Sequence, residues 1–321
     1  MYTLSSCVWF VSCSPLTQID SAGQLQRREP MQQQTIASAI ELKGVGLHTG
    51  ERATVRVLPA PAGKGIIFRR TDLDNFELRA DVASVARVAY ATTLMNRGVW
   101  ISTVEHLLSA LYGVGIDNAY IELDNFEVPI LDGSAIPYTE AIASVGVTRQ
   151  KSPRRYIRIT REFVLTDGGK TLGIYPSESF SIKYDIDFPH PLIGKQSLDV
   201  ELSGNSYADS IAPARTFGFY HEVEKLQASG LIRGGSLENA IVLTETGMLN
   251  DTSLRFPDEF VRHKTLDLLG DFALIGQPVL GRLVANRAGH ALHTRFVGEL
   301  LASKSHWVLH SASEASVSSA R

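Results

Sequence analysis

HKTLDLLGD at 263–271 spaces one histidine and two aspartates four residues apart. On a helix such residues stand one above the other, so His263, Asp267 and Asp271 form a single stripe, and a His and a carboxylate at that spacing can grip one metal ion. Taken alone, the pattern is more often a solvated His–Asp pair. STVEH at 102–106 adds a second histidine, His106, directly after a carboxylate, Glu105. Here the competing reading is a capping box, with Ser102 as N-cap and Glu105 three residues on. AGHALHT at 288–294 supplies His290 and His293. Histidine titrates nearest neutrality and suits proton transfer to a leaving amine; spacing does not separate these two. ARTF at 214–217 offers the Thr216 hydroxyl as an oxyanion donor and Phe217 as a stacking surface, against the plainer reading of a strand threonine. Together the stretches hold metal ligands, a base, a hydroxyl donor and an acid. Those are the groups needed to hydrolyse an amide with a metal-activated water.

Composition narrows the chemistry. The only cysteines, Cys7 and Cys13, sit near the N-terminus, so neither a disulfide framework nor a thiolate metal site is available to the body of the chain. Any metal must sit on His, Asp or Glu, which favours a hydrolytic site over a structural zinc. A net charge of −3 gives no global basic field for nucleic acid. No apolar run approaches the roughly 20 residues that span a bilayer.

The elements that must position these groups read as two blocks. Residues 1–33 are Ser- and Gln-rich, lack periodicity and are set aside as an atypical, disordered leader; no basic region precedes VWFVSC as a signal peptide requires, and Met31 offers an alternative start. In 34–150, TIASAIEL, RATVRVLP, GIIFRR and NAYIELD read as strands, GVGLHTG at 44–50 as a tight turn, and STVEHLLSALYG and IPYTEAIASVG as helices. KSPRR at 151–155 reads as a linker. In 156–310 the order repeats: strands RYIRITREFVLT, KTLGIYPS and FSIKYDIDF, helices EVEKLQASG and DEFVRHKTLDLLGDFALIG, then the strand GRLVANRAG before a last helix. Segregated strands and helices predict α+β, and the repeated order hints at two related domains. The tail 311–321 is expected to be disordered. KLQASGLIRGGSLENAIVL reads on pattern as an ordinary packing face.

Seven stretches, GVGLHTG, ISTVEHLLSALYGVGIDNAYIEL, EVPILDGSA, ARTFGF, LIRGGSLENAIV, RFPDEFVRHKTLDLLGD and AGHALHT, occur in this order across roughly residues 34–300. In that combination the chain resembles the UDP-3-O-acyl-N-acetylglucosamine deacetylase family. The resemblance implies two related two-layer α/β-sandwich domains, their helices packed face to face, with a small insert in each. A β-α-β insert in the second encloses an acyl passage. It implies removal of the N-acetyl group from UDP-3-O-acyl-N-acetylglucosamine to give acetate and the free amine, the committed step of lipid A biosynthesis, by a cytoplasmic monomer.

The resemblance also assigns residues. His106, His263 and Asp267 match the zinc ligands (His2Asp ligation suits Fe2+ as well). Glu105 matches the general base, Thr216 the hydroxyl supporting the oxyanion, Lys264 a lysine that contacts substrate, and His290 the general acid with Asp271 as its charged partner. Leu47, His48, Phe217 and Phe219 fall at substrate-contacting positions, and Asp187 and Phe188 near the nucleotide. Val223, Ile232, Gly235 and Ser236 fall on the passage. Pro189 stands where some members carry Asn, and Arg287 where Lys is familiar. Two other readings remain open: a metal amidohydrolase acting on another acyl-sugar, and a non-catalytic binder of UDP-sugars or acyl chains.

Overall fold

A computed structural model describes residues 17–19, 25–27 and 32–311. The strands Thr17–Ile19 and Leu25–Arg27 pair antiparallel in a small unit of their own. The rest of the leader, including Cys7, Cys13 and Met31, and the tail beyond Ser311 lie outside the described residues.

The body contains two large sheets. In the first, five strands lie in the order Ile40–Val45, Arg52–Pro59, Ala119–Leu123, Ile66–Arg70, Phe76–Arg79. Ala119–Leu123 is central, antiparallel to Arg52–Pro59 and parallel to Ile66–Arg70. Period-two alternation sets its buried face: Ala119, Ile121 and Leu123 are buried on the same side as Val55, Val57 and Phe68. Helix α1 (Glu105–Val114) and helix α2 (Ile136–Val145) belong to this half. A three-stranded sheet of Val85–Arg87, Thr93–Asn96 and Val99–Ile101 precedes α1.

The second sheet has seven strands gathered around Val279–Asn286, which pairs with Arg155–Ile159, Lys170–Tyr175 and Phe180–Phe188. The short helix α3 (Gly204–Ser210) is closed by a Ser203/Ser206 capping box. A β-α-β excursion follows: Phe217–Phe219, helix α4 (Tyr220–Ala228), then Ile241–Leu243 parallel to the first strand. Helix α5 (Glu259–Phe272) packs on Phe180–Phe188, and helix α6 (His290–Ala302) on α5. Mixed strands and segregated helices make the fold α+β, as expected.

Several local expectations change. TIASAIEL is not one strand: the chain bends after Ile36, and Gln32–Ile36 leaves to pair with Val147–Pro153. That pairing also turns KSPRR from a linker into strand. RYIRITREFVLT breaks at Thr160 into two strands. The capping box at Ser102 does not form. Helix α1 starts at Glu105 with Val104 as N-cap, because Ser102 is engaged elsewhere: its N–H donates to the Phe126 carbonyl and its hydroxyl meets Thr93 Oγ1 at 2.9 Å.

The closest helix–helix contact joins the two halves. Helices α1 and α5 pack against each other, and the contact is close enough to exclude a side chain. A Cβ at Gly270 would lie 2.0 Å from the Glu105 carbonyl oxygen; where α1 meets α3, one at Gly113 would lie 2.3 Å from the Tyr207 ring. Glycine here is a packing requirement, outweighing its cost of about 1 kcal/mol inside a helix. Gly270→Ala is therefore expected to destabilise the protein by roughly 1–3 kcal/mol through overpacking, despite the better helix propensity of alanine. Chemical or thermal denaturation measures this; an unchanged midpoint would mean the helices do not meet this closely.

Candidate active site

The α1–α5 contact brings the sequence stretches together. From α5, the i, i+4 spacing places His263 Nε2 at 3.3 Å from Asp267 Oδ1. From the first turn of α1, His106 Nε2 reaches the same oxygen at 3.8 Å. The two rings meet edge to face, centroids 5.1 Å apart. All three side chains are buried. His263 Nδ1 lies 3.1 Å from the Ala214 carbonyl, so the neutral ring donates there and leaves the Nε2 lone pair facing Asp267. His106 Nδ1 is buried with no hydrogen-bond partner among the described residues.

Burial keeps both rings neutral. It lowers His106 to about 3, with repulsion between two protonated rings at His106 and His263 adding to the effect, and it lowers His263 too, against the pull of Asp267. Asp267 behaves oppositely. Burial would raise it, but His263, Lys264, His290 and His106 hold it well below the usual carboxylate range. Lys264 Nζ donates to Asp267 Oδ2 at 2.7 Å, which fixes the carboxylate from its other side. Two neutral imidazoles and an ionised carboxylate, with ligating atoms within 4.8 Å of one another, fit a divalent cation.

One turn further along α5, Asp271 collects three donors. Its Oδ2 accepts from His290 Nδ1 at 2.7 Å and from His293 Nδ1 at 2.9 Å, and its Oδ1 accepts from Thr92 Oγ1 at 2.5 Å. Burial raises this carboxyl, but the histidines outweigh it and bring it to about 2. For His290, burial works against the charged ring, yet Asp271 and then Asp267 and Glu105 raise it to about 9. His293 shares the carboxylate but is lowered, burial dominating. Geometry separates the two histidines. The His290 side chain keeps 13% exposure, and with Nδ1 engaged its Nε2 is left for a ligand; His293 is wholly buried behind Asp271, facing the Tyr184 hydroxyl at 3.3 Å.

Glu105 is the buried first residue of α1, and its Oε2 accepts the Thr92 N–H at 3.1 Å. Burial pushes it up to about 7, with Asp271 and Asp267 adding and His290 opposing. Thr216 lies two residues beyond the carbonyl that holds His263, pinned by its own N–H to Gly133 O at 2.8 Å and by Ile241 N–H to its carbonyl. Its neighbour Arg215 is clamped by Glu259, whose carboxylate takes the Arg215 backbone N–H and both Nε and a terminal NH2 group. Phe217 stacks edge-on to His263 at 6.2 Å and to Phe188 at 5.8 Å, and Phe188 also meets Phe219.

The remaining expected contacts fall in two groups. The GVGLHTG turn is tied to the excursion through Arg233 N–H to the His48 carbonyl and Gly234 N–H to the Leu47 carbonyl, so Leu47 and His48 adjoin the segment carrying Ile232, Gly235 and Ser236. Buried Glu127 organises that turn by accepting the N–H groups of His48 and Thr49. Val223 is half-buried on α4. Asp187 and Arg287 line a separate cavity of about 400 Å³ with Lys195 and Asn286; it contains none of the His/Asp cluster. Sequence reading passed over Thr92, Glu127 and the Arg215–Glu259 clamp. Glu127 and Glu259 look like surface acids in a sequence, and nothing marks Thr92 in YATT.

Comparison with known proteins identifies the family. Residues 33–302 match the family model for UDP-3-O-acyl N-acetylglycosamine deacetylase. The chain is 48% identical over 267 residues to the UDP-3-O-acyl-N-acetylglucosamine deacetylase of Solibacter usitatus, covering 83% of this chain and 90% of that one. It is 47% identical over 274 residues to the enzyme of that name from Myxococcus xanthus (85% and 87% covered), and 44% identical over 280 residues to that from Pseudomonas entomophila (86% and 92%). The chain belongs to the UDP-3-O-acyl N-acetylglycosamine deacetylase family, and is an amide hydrolase.

Proposed function

We propose that this chain removes the N-acetyl group from UDP-3-O-acyl-N-acetylglucosamine, releasing acetate and the free amine, and so serves lipid A biosynthesis. The observation that carries the reading is the pairing, in one buried cluster, of a His2Asp donor set with Glu105 and His290. A binding protein needs neither of the last two.

His106, His263 and Asp267 would hold zinc or Fe2+. Such an ion supplies Lewis-acid polarisation of the acetamide carbonyl and a water of lowered pKa. Glu105 takes the proton of the attacking water: its carboxylate sits beside the donor set, desolvated and therefore more basic than a surface glutamate. The Thr216 hydroxyl donates to the developing oxyanion, a contribution of about 3–4 kcal/mol at comparable sites. His290, charged and held by Asp271, donates from Nε2 to the departing glucosamine nitrogen. Lys264, already in the cluster through Asp267, adds positive charge on the substrate side.

The nucleotide end would lie near Asp187, Phe188 and Arg287. Two of these line the 400 Å³ cavity, and Arg287 belongs to the turn leading into His290. Phe217 and Phe219 offer faces to the sugar. The acyl chain would run between the GVGLHTG turn, with Leu47 and His48, and the excursion carrying Val223, Ile232, Gly235 and Ser236. The two blocks at 34–150 and 156–310 are proposed as the related domains whose facing helices enclose the site.

The decisive experiment is a deacetylation assay on the UDP-acyl-sugar with defined metal loading. Turnover that vanishes with a chelator and returns with zinc is expected; chelator-insensitive turnover would sink the metal reading, and no turnover would leave only the binding reading. An N-butyryl analogue should be a much poorer substrate if the site selects the small acetyl group. Glu105→Ala and His290→Ala should each lower kcat by about 100- to 10,000-fold with metal content unchanged. Near-normal kcat in either would remove that residue from the mechanism.

The rate should also be bell-shaped in pH. Glu105 must be deprotonated, so activity rises through its pKa, about 7 before a cation is added; His290 must be protonated, so activity falls through its pKa, about 9. A bound cation adds positive charge and lowers both limbs. A rate that keeps climbing above pH 9 would rule out His290 as the acid.

A further inference from the structure

We infer that Thr92 is a positioning residue that sets the acid and the base of this site in one fixed relation, acting through Asp271 and Glu105 without touching substrate. The inference rests on the acid–base reading given under Proposed function.

Thr92 is completely buried, and its two donors end on two carboxylates of the site, Glu105 and Asp271. Its backbone N–H donates to Glu105 Oε2 at 3.1 Å, and its hydroxyl donates to Asp271 Oδ1 at 2.5 Å. The direction of the second bond is forced, because an ionised carboxylate only accepts. The hydroxyl oxygen also lies 3.3 Å from His290 Nδ1, within reach of the ring that Asp271 holds. Its carbonyl accepts the Val104 N–H, which ties the residue to the start of α1 beside Glu105. No other described residue is hydrogen-bonded to both carboxylates.

The hydroxyl has a specific mechanical task. A carboxylate can turn about its Cβ–Cγ bond, and Asp271 Oδ2 must face two imidazoles at once. Fixing Oδ1 removes that rotation. The His290 Nδ1–H then always has its acceptor, so the ring keeps one tautomer and one plane, with Nε2 turned to the ligand side. The backbone N–H does the same for Glu105, choosing which of its oxygens is occupied by protein. Because Thr92 is a single rigid β-branched residue, the two orientations are coupled.

The test compares Thr92→Val, which keeps the shape and the backbone N–H but lacks the hydroxyl, with Thr92→Ser, which restores it. Thr92→Val is expected to lose about 10- to 100-fold in kcat, the range for a hydrogen bond to a charged group, with KM, bound metal and melting behaviour near wild type. Thr92→Ser should recover most of the loss. In an Asp271→Asn background, Thr92→Val should cost little further, since the carboxylate it orients is gone.

A second readout needs no turnover. Long-range 1H–15N spectra of the imidazoles should show His290, when neutral, as a single Nδ1–H tautomer in the wild type and Thr92→Ser, and as a mixture in Thr92→Val. Wild-type kcat together with a wild-type His290 spectrum in Thr92→Val would overturn the inference, and so would a Thr92→Ser as impaired as Thr92→Val. If Thr92→Val lacks a cooperative melt, Thr92→Ala and Thr92→Ser are compared on the same measurements, and equal values would be decisive against it. Should the wild type not turn over the UDP-acyl-sugar, the functional reading fails, while the imidazole spectra still decide the role of Thr92.

Discussion

Two carboxylates buried one turn apart on α5 make the strongest demand on the rest of the molecule. An isolated charge in an apolar interior costs many kcal/mol, so Asp267 and Asp271 can stay ionised only if donors and positive charge are brought to them. Asp267 is answered by Lys264 from its own helix, and the His263 ring and, from the other half of the chain, the His106 ring face it. Asp271 is answered by Thr92 from the first half and by His290 and His293 from α6. The helices converge because these groups have nowhere else to go. The same convergence gathers the chemistry, so satisfying the buried acids and assembling the site are one event.

Backbone proximity makes the convergence possible. With Gly270 against the Glu105 carbonyl, the first turn of α1 lies on α5 itself and not on a layer of side chains. Glu105 is thereby desolvated without being neutralised, which is the physical source of its raised pKa. The competing reading of Glu105 as part of a capping box is ruled out for a related reason. The hydroxyl of Ser102 is spent on Thr93, the helix begins three residues later, and the carboxylate that a capping box would occupy is held by Thr92.

Elements with strong local signals were legible in the sequence. The alternation in RATVRVLP and NAYIELD gives strands at their observed places, and the stripe His263–Asp267–Asp271 is visible from spacing alone. What periodicity could not convey is pairing across the chain. Gln32–Ile36 and Val147–Pro153 become a ladder only because each finds the other, so a linker and half of a strand were misread. The choice between His290 and His293 depends on which side of Asp271 each ring lies, a difference in depth that no spacing encodes. Thr92 was invisible for the same reason, since its importance resides wholly in partners 13 and 179 residues away.

Those separations have a bearing on how the protein acquires its site during synthesis. The groups meeting at Asp271 span the chain from Thr92 to His293, and the sheet beneath them is closed by Arg155–Ile159 pairing with Trp307–Ser311, near its far end. Contacts this non-local carry a large loop-closure entropy and form late. On the ribosome, the first sheet can be complete while His106 still lacks Asp267 and the Thr92 hydroxyl still lacks Asp271. The nascent first half therefore has to persist with an unmatched apolar helix face until α5 and α6 emerge, which makes that interval the aggregation-prone stage of its biogenesis.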